Sequence, residues 1–211
     1  LAAKKVAELC SRRLPAAYGF DSFENIQVLC PSKKGETGTE ALNERLSVLL
    51  NPARPGKAEF KTEKALLREG DKVIQTRNNY DVVWTATDGK QGSGVFNGDI
   101  GTLQSVDRST GILSVRFGDK IALYSGVDAD GLDKAFAVTV HKSQGSEYDC
   151  VIIPTVGIPP QLMFRNLLYT GVTRAKKLLI LVGTEQSVIK MTENDRKTLR
   201  YTALSTLLEN E

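Results

Sequence analysis

Ala137-Val138-Thr139-Val140-His141-Lys142-Ser143-Gln144-Gly145-Ser146-Glu147 is a short apolar, β-branched run that empties into a dense polar loop. The run predicts a buried strand, and the loop carries more hydrogen-bonding groups than packing needs. Thr139, His141, Lys142 and Ser143 offer hydroxyl, imidazole and ammonium donors suited to phosphate oxygens. Gly145 lets backbone N–H groups approach an anion, and Glu147 is an acceptor for ribose hydroxyls. Two different anions have room here. The plainer reading makes Ser143 or Ser146 a cap for the next segment and His141 a satisfied core histidine; the crowding of polar groups tips the balance toward ligand binding.

Downstream, Cys150–Ile153 and Leu178–Val182 are apolar runs of the buried-strand type, and Arg165–Lys176 between them has helical spacing. Tyr169 and Thr173 share one face of that helix. Arg174 is expected near a strand end, where loops of an open α/β sheet carry ligand groups and a planar guanidinium meets phosphate. A solvated Arg/Lys helix end complementing the macrodipole accounts for the same residues equally well. A last helix is predicted over Glu193–Leu208.

Upstream, Ile26–Cys30, a polar Gly-rich turn over Ser32–Gly38 and a helical stretch Thr39–Leu50 make a β-loop-α unit. Thr39 is the candidate cap, and Leu42, Leu46 and Leu49 are the buried stripe. Ala2–Arg13 spaces Val6, Leu9 and Cys10 as an amphipathic helix that stops before Pro15. Between Glu69 and Tyr124 the pattern turns to short β segments, Lys72–Thr76, Ile100–Asp107, Ile112–Phe117 and Lys120–Tyr124, separated by glycine turns as in a small barrel. The fold class is therefore α/β: a parallel-sheet domain interrupted by a small β-barrel insertion.

With 211 residues, 41% hydrophobic and 25% charged, the chain can build a full core, which excludes disordered and fibrous classes. No apolar run approaches the roughly 20 residues of a membrane span, so a cytoplasmic protein is expected. Cys10, Cys30 and Cys150 are scattered without a CxxC pair, so neither a disulfide framework nor a zinc site is assigned, and no other metal ligands are. The formal charge of +3 permits an anionic partner without requiring one.

Val138–Asp149 (VTVHKSQGSEYD) and Asn166–Lys177 (NLLYTGVTRAKK) resemble, in order, motifs V and VI of superfamily 1 helicases of the RecD-like branch. Gly70–Tyr80 (GDKVIQTRNNY) and Val95–Gly101 (VFNGDIG) are similar to that branch's own signature, and Ile26–Leu46 is similar to its motif IV region. The resemblance implies a RecA-like domain of the P-loop NTPase type, the second of a pair and without its own P-loop, carrying an inserted SH3-like barrel. Residues 1–25 are then a helix and linker from an upstream domain, 26–96 and 134–211 the RecA-like domain, and 97–133 the insertion. It further implies Arg174 as an arginine finger toward the γ-phosphate, and Gln144, Gly145 and Glu147 on the ATP side. Thr139, His141 and Lys142, together with Asn78, Asn79 and Tyr80, fall on the single-stranded DNA side. Tyr80 or Trp84 either stacks on a base or fills the barrel core. The implied ligands are ATP with Mg2+ and single-stranded DNA, worked with 5′ to 3′ polarity. The implied partners are an upstream RecA-like domain of the same polypeptide and a recombination or transfer complex.

No G-x-x-x-x-G-K-[ST] loop occurs; Gly56-Lys57 and Gly89-Lys90 lack both the preceding glycine and the following hydroxyl. Nor does an apolar strand run into Asp-Glu as a Walker B site does. The expectation is a C-terminal motor half, inactive in ATP hydrolysis alone, with the first RecA-like domain joined upstream of Leu1. Lys33 and Lys34 read as solvated charge and stay unassigned. The competing reading is a stand-alone module that binds single-stranded nucleic acid without motor work, in which Arg174 has no γ-phosphate to meet.

Overall fold

The structure is a computed structural model, described over residues 1–195. The chain opens with α1 (Ala2–Glu8), a π-helical turn (Leu9–Arg13) and α2 (Leu14–Tyr18). The sequence predicts a stop before Pro15, yet the helix continues to Gly19. A proline has no N–H for a regular turn; the π turn, in which the Leu14 N–H reaches back to Leu9 O, absorbs the mismatch, and Gly19 closes the helix at φ 67°.

β1 (Ile26–Cys30) is buried at every position, and α3 (Thr39–Leu50) follows it. Leu42 and Leu46 enter the core as expected, whereas Leu49 is 51% exposed. The cap is Gly38, not Thr39: a Cβ there would lie 2.3 Å from Lys33 O, and the Thr39 N–H instead donates to Ser32 O.

The hairpin of β2 (Glu59–Lys61) and β3 (Leu66–Arg68) leads into β4 (Lys72–Gln75), β5 (Asn79–Ala86), β6 (Gln91–Val95), β7 (Ile100–Val106), β8 (Leu113–Phe117), β9 (Lys120–Tyr124) and β10 (Leu132–Lys134). The last seven form one antiparallel sheet, ordered β10-β4-β7-β8-β9-β5-β6, around a core that includes Val73, Val82, Leu103, Val115 and Tyr124. The boundary expected at residue 97 is thereby corrected, because β4, β5 and β6 all precede it and are hydrogen-bonded into this sheet. Their signal is weak: β5 buries only Val82 and Ala86, and β6 holds two glycines, so neither shows a clean period of two.

After the insertion come β11 (Ala137–Thr139), β12 (Tyr148–Pro154), α4 (Arg165–Val172), β13 (Ala175–Val182) and α5 (Glu185–Glu193). With β1 they form an all-parallel sheet ordered β11-β1-β12-β13. Alternate strand residues face opposite layers. Val28, Cys30, Cys150 and Ile152 pack against α1 and α3, while Leu29, Val151 and Ile153 pack against Leu167 and Leu168 of α4 and Met191 of α5. The helix predicted over 193–208 falls, beyond its first residues, outside the described residues.

A polar neck joins the two sheets. Asn43 of α3 accepts the Ala137 N–H at 2.8 Å and donates to Ala137 O at 2.8 Å and Lys134 O at 3.1 Å. Buried Asp71 accepts from Asn51 Nδ2 at 2.8 Å and from the Arg68 N–H at 2.9 Å, and its desolvation raises its pKa above the usual carboxylate range. Lys72 donates to Phe23 O at 2.6 Å and Ile26 O at 3.4 Å, and burial brings its ammonium down to about 8.

Candidate functional site

The polar loop crosses the parallel sheet from one edge to the other. Thr139 pairs with Cys30 at the carboxyl end of β1, whereas Cys150 pairs with Ile26 at its amino end and Tyr148 pairs with Ala175 at the start of β13. Residues 140–147 therefore carry the chain between opposite edges, and the two halves of the loop face different neighbours.

At the carboxyl edge, Thr139 caps a 3-10 turn over Val140–Ser143, its hydroxyl accepting the Lys142 N–H at 3.4 Å. This role belongs to neither serine: Ser143 is buried and donates to Val140 O at 2.7 Å. His141 is exposed, so the core-histidine reading does not hold. Lys142 is half-buried on a cleft of about 680 Å3 between α3, β11 and the β2–β3 hairpin, lined also by Lys33, Lys64, Lys134, Asn43 and Thr139. Glu40, Glu44 and Asp133 share its walls. Burial pulls the pKa of Lys142 below its ordinary value; Asp133 opposes it, and the ammoniums of Lys33 and Lys64 add smaller downward pulls. Lys33 and Lys64 thus join a basic cleft to which the sequence reading assigned neither; they are far apart in sequence and meet only through the fold.

At the amino edge lie Gln144, Gly145 and Glu147, all exposed. Gly145 adopts φ 85° with open space where a side chain would stand. Glu147 pairs loosely with Lys176 at 3.6 Å. Arg174 follows α4 and precedes β13, so it sits at the start of a strand and not at a carboxyl end. Its Nε donates to Thr170 O at 3.2 Å, Nη1 to Ser146 O at 3.3 Å and Nη2 to Thr173 Oγ1 at 3.2 Å, while its own carbonyl accepts the Tyr148 N–H at 2.9 Å. The guanidinium is partly exposed and keeps N–H groups for an anion. Tyr169, on α4, is 68% exposed.

The signature residues collect at one end of the inserted sheet. Asn79 is spent internally: its Nδ2 donates to Asp128 at 3.0 Å and its Oδ1 accepts the Asp81 N–H at 3.0 Å. Asn78 Oδ1 accepts the Asn97 N–H at 2.9 Å. Tyr80 is 64% exposed, whereas Trp84 lies across Gly92 beneath the Lys120 ammonium, 4.1 Å from its ring centroid. Of the two aromatics, only Tyr80 therefore offers an open ring. Phe96, 49% exposed beside it, is a single aromatic in VFNGDIG to which the sequence pattern gives no role. Among the described residues no group of three or more His, Cys, Asp or Glu side chains is gathered to hold a metal ion, and no helix is long and apolar enough to cross a membrane.

Residues 134–182 match the UvrD-like helicase C-terminal domain, and residues 42–117 match the SH3 domain of ATP-dependent RecD-like DNA helicases. The chain is 31% identical over 159 residues to the ATP-dependent RecD2 DNA helicase of Deinococcus radiodurans, covering 75% of this chain and 20% of that protein. It is 29% identical over 174 residues to the RecBCD enzyme subunit RecD of Buchnera aphidicola subsp. Schizaphis graminum, covering 80% of this chain and 26% of the relative. The chain thus spans about a fifth to a quarter of the length of these relatives. The crystal structure of Bacteroides Pif1 bound to ssDNA shares the fold, with a TM-score of 0.50 at 14% identity over 98% of this chain and 50% of that one. Fold and matches together define a portion of a superfamily 1 helicase. Within that class it is of the RecD-like kind, a UvrD-like C-terminal domain combined with a RecD-like SH3 domain.

Proposed function

We propose that the chain is the C-terminal motor half of an ATP-dependent DNA helicase that moves 5′ to 3′ along single-stranded DNA in the cytoplasm. The observation that carries this reading is the hydrogen bond from Arg174 to Ser146 O, which ties the residue before β13 to the loop whose other half lines the lysine cleft. In this reading Arg174 is the arginine finger. A planar, permanently charged guanidinium compensates the negative charge that spreads over the γ-phosphate oxygens during transfer, a contribution of order 10³-fold or more in rate. Gln144, Gly145 and Glu147 face the nucleotide beside it, and Thr139, His141, Lys142, Asn78 and Tyr80 face the strand, with Asn79 holding the turn that carries Tyr80. One loop then senses the nucleotide at one edge of the sheet and grips DNA at the other.

ATP and Mg2+ are held mainly by a first RecA-like domain upstream in the same polypeptide, and the assembled motor serves a recombination or transfer complex. The RecA-like unit comprises β1, α3 and the chain from β11 onward; the segment from Asn51 to Lys134 is the insertion. The names of the RecD2 and RecD relatives and the single strand bound to the Pif1 neighbour support this assignment. The basic cleft and open aromatic ring also suit a second reading, a strand-binding module without motor work.

Single-strand binding and ATP turnover of the chain, alone and joined to its upstream domain, separate the two. The motor reading expects strand binding without hydrolysis from the chain alone and DNA-stimulated hydrolysis from the joined protein. Tight strand binding by the chain with no ATPase in the joined protein establishes the binding module instead.

A further inference from the structure

Tyr80 and Phe96 are the exposed aromatic pair of the inserted sheet, 64% and 49% accessible, with ring centroids 5.9 Å apart and planes at 77°. Edge-to-face packing of this kind fixes both rings while leaving the outer face of each open. Two aromatic side chains held in water at one spot cost solvation and gain little core burial, so their placement calls for a ligand.

The turn that carries Phe96 is built to hold it still. The Phe96 N–H donates to Asp99 Oδ2 at 2.8 Å, and the Asp99 N–H returns to Phe96 O at 3.0 Å. The Asn97 N–H is held by Asn78 Oδ1 at 2.9 Å and the Gly98 N–H by Gln75 O at 2.9 Å. Gly94, at φ 98°, forms the floor: a Cβ built there would stand 3.5 Å from Phe96 Cζ. The two signature segments, Gly70–Tyr80 and Val95–Gly101, thus converge on a single rigid tip whose ordering is complete before any ligand arrives.

That tip adjoins the basic cleft. Gly98 takes φ 102° against the motif V loop, where a Cβ would come within 3.8 Å of Lys142 O. The Lys142 side chain opens into the cleft shared with Lys33 and Lys64. The turn that carries Phe96 therefore abuts, through Gly98, the segment that brings Lys142 to the cleft, so charge for a phosphate backbone and open rings for bases are carried on neighbouring segments, the pairing that single-strand grooves combine.

We propose that Tyr80 and Phe96 form one preformed stacking platform for a nucleobase of single-stranded DNA whose phosphates run through the Lys33–Lys64–Lys142 cleft. The proposal rests on the strand-binding reading above and adds a base-contacting residue, Phe96, and a base-dependent component of affinity. Every base has a π face, so the platform holds the strand without choosing its sequence.

The test compares binding of a short oligothymidylate with a strand of equal length containing abasic sugars, by fluorescence anisotropy, for the wild type, Phe96→Ala, Tyr80→Ala, Phe96→Trp and Lys142→Ala. The expected result is that the wild type prefers the base-bearing strand by roughly 5- to 150-fold, equivalent to one base stack. Phe96→Ala and Tyr80→Ala lose that preference with unchanged melting temperature, Phe96→Trp keeps it, and Lys142→Ala weakens both strands alike. If Phe96→Ala retains the wild-type preference while Lys142→Ala still weakens binding, the platform is wrong and the strand-binding reading stands. If the wild type binds neither strand, both fall. If Phe96→Ala leaves strand affinity untouched and lowers the stability or ATPase of the joined protein, the pair is a protein contact and the proposal is overturned.

Discussion

Arg174 donates through Nη1 to the main-chain oxygen of Ser146 at 3.3 Å, so the residue that follows α4 is tied to the far end of the loop over residues 140–147. A hydrogen bond to a carbonyl leaves the guanidinium's charge uncompensated, unlike an ion pair, and available to an arriving phosphate. Arg174→Ala in the protein joined to its upstream domain is expected to lower steady-state phosphate release by about 10³-fold or more while leaving strand affinity nearly unchanged. Arg174→Lys restores little, because an ammonium cannot reproduce the planar fork. A turnover within a few-fold of wild type in Arg174→Ala removes the finger assignment.

Lys142 lies in the cleft with its charge already disfavoured by burial and by Lys33 and Lys64. A phosphate there relieves that repulsion and displaces counterions. Lys142→Ala is expected to weaken single-strand binding equally for all sequences and to flatten the plot of log affinity against log salt by about 0.7. Isothermal titrations at several salt concentrations read the slope; an unchanged slope means that no phosphate sits beside Lys142.

Asn43 satisfies three main-chain groups at the neck, the Ala137 N–H, Ala137 O and Lys134 O. Removing its amide strands buried polar groups, each at about 1–3 kcal/mol. Asn43→Ala is expected to lower the unfolding free energy by about 2–4 kcal/mol with little change in the denaturant slope. Urea titration followed by circular dichroism measures both; a loss under about 1 kcal/mol would show that water replaces the amide.

Lys72 gives a pH signature of known sign. Burial lowers its pKa from 10.5 to about 8 in the folded protein. Below pH 8 both states carry the proton and the folded state bears the whole cost of the buried charge. Between about 8 and 10.5 the unfolded chain binds more protons, so stability rises with pH, by on the order of 3 kcal/mol across the window. Burial moves Cys10 the other way, from 9.0 up to about 12, and raises Cys30 as well, so the thiols withdraw stability above pH 9. The difference between wild type and Lys72→Met isolates the lysine: the wild type should gain on the variant from pH 8 to 10. Parallel melting curves over that range would contradict the buried ammonium.

Cys150–Ile153 was legible because a run buried on both faces is apolar throughout; Leu178–Val182 also lies inside an observed strand, but β13 is an edge strand and only Val182 of that run is buried. The break between β11 and β12 was legible because a polar, glycine-containing stretch follows an apolar run. β5 and β6 were not, since a curled sheet with one open face mixes Tyr80, Val83 and Trp84 with polar neighbours and breaks the period of two. The edge of the sheet at which Arg174 sits was also hidden, because sequence order does not reveal that residues 140–147 cross from one end of the strands to the other. Lys64 acquires meaning only beside Lys142 and Phe96 only beside Tyr80, and each is unremarkable within its own segment.

The neck also governs how replaceable the inserted sheet is. β4 and β10, its first and last strands, lie side by side with Ile74 opposite Asp133, and the Ala135 N–H is bonded to Lys72 O at 2.8 Å. The sheet's first and last strands are therefore one strand spacing apart. A cassette tethered in this way can be shortened, enlarged or exchanged while the parallel sheet keeps its register, so the length and surface chemistry of the insertion are free to change independently of the host fold.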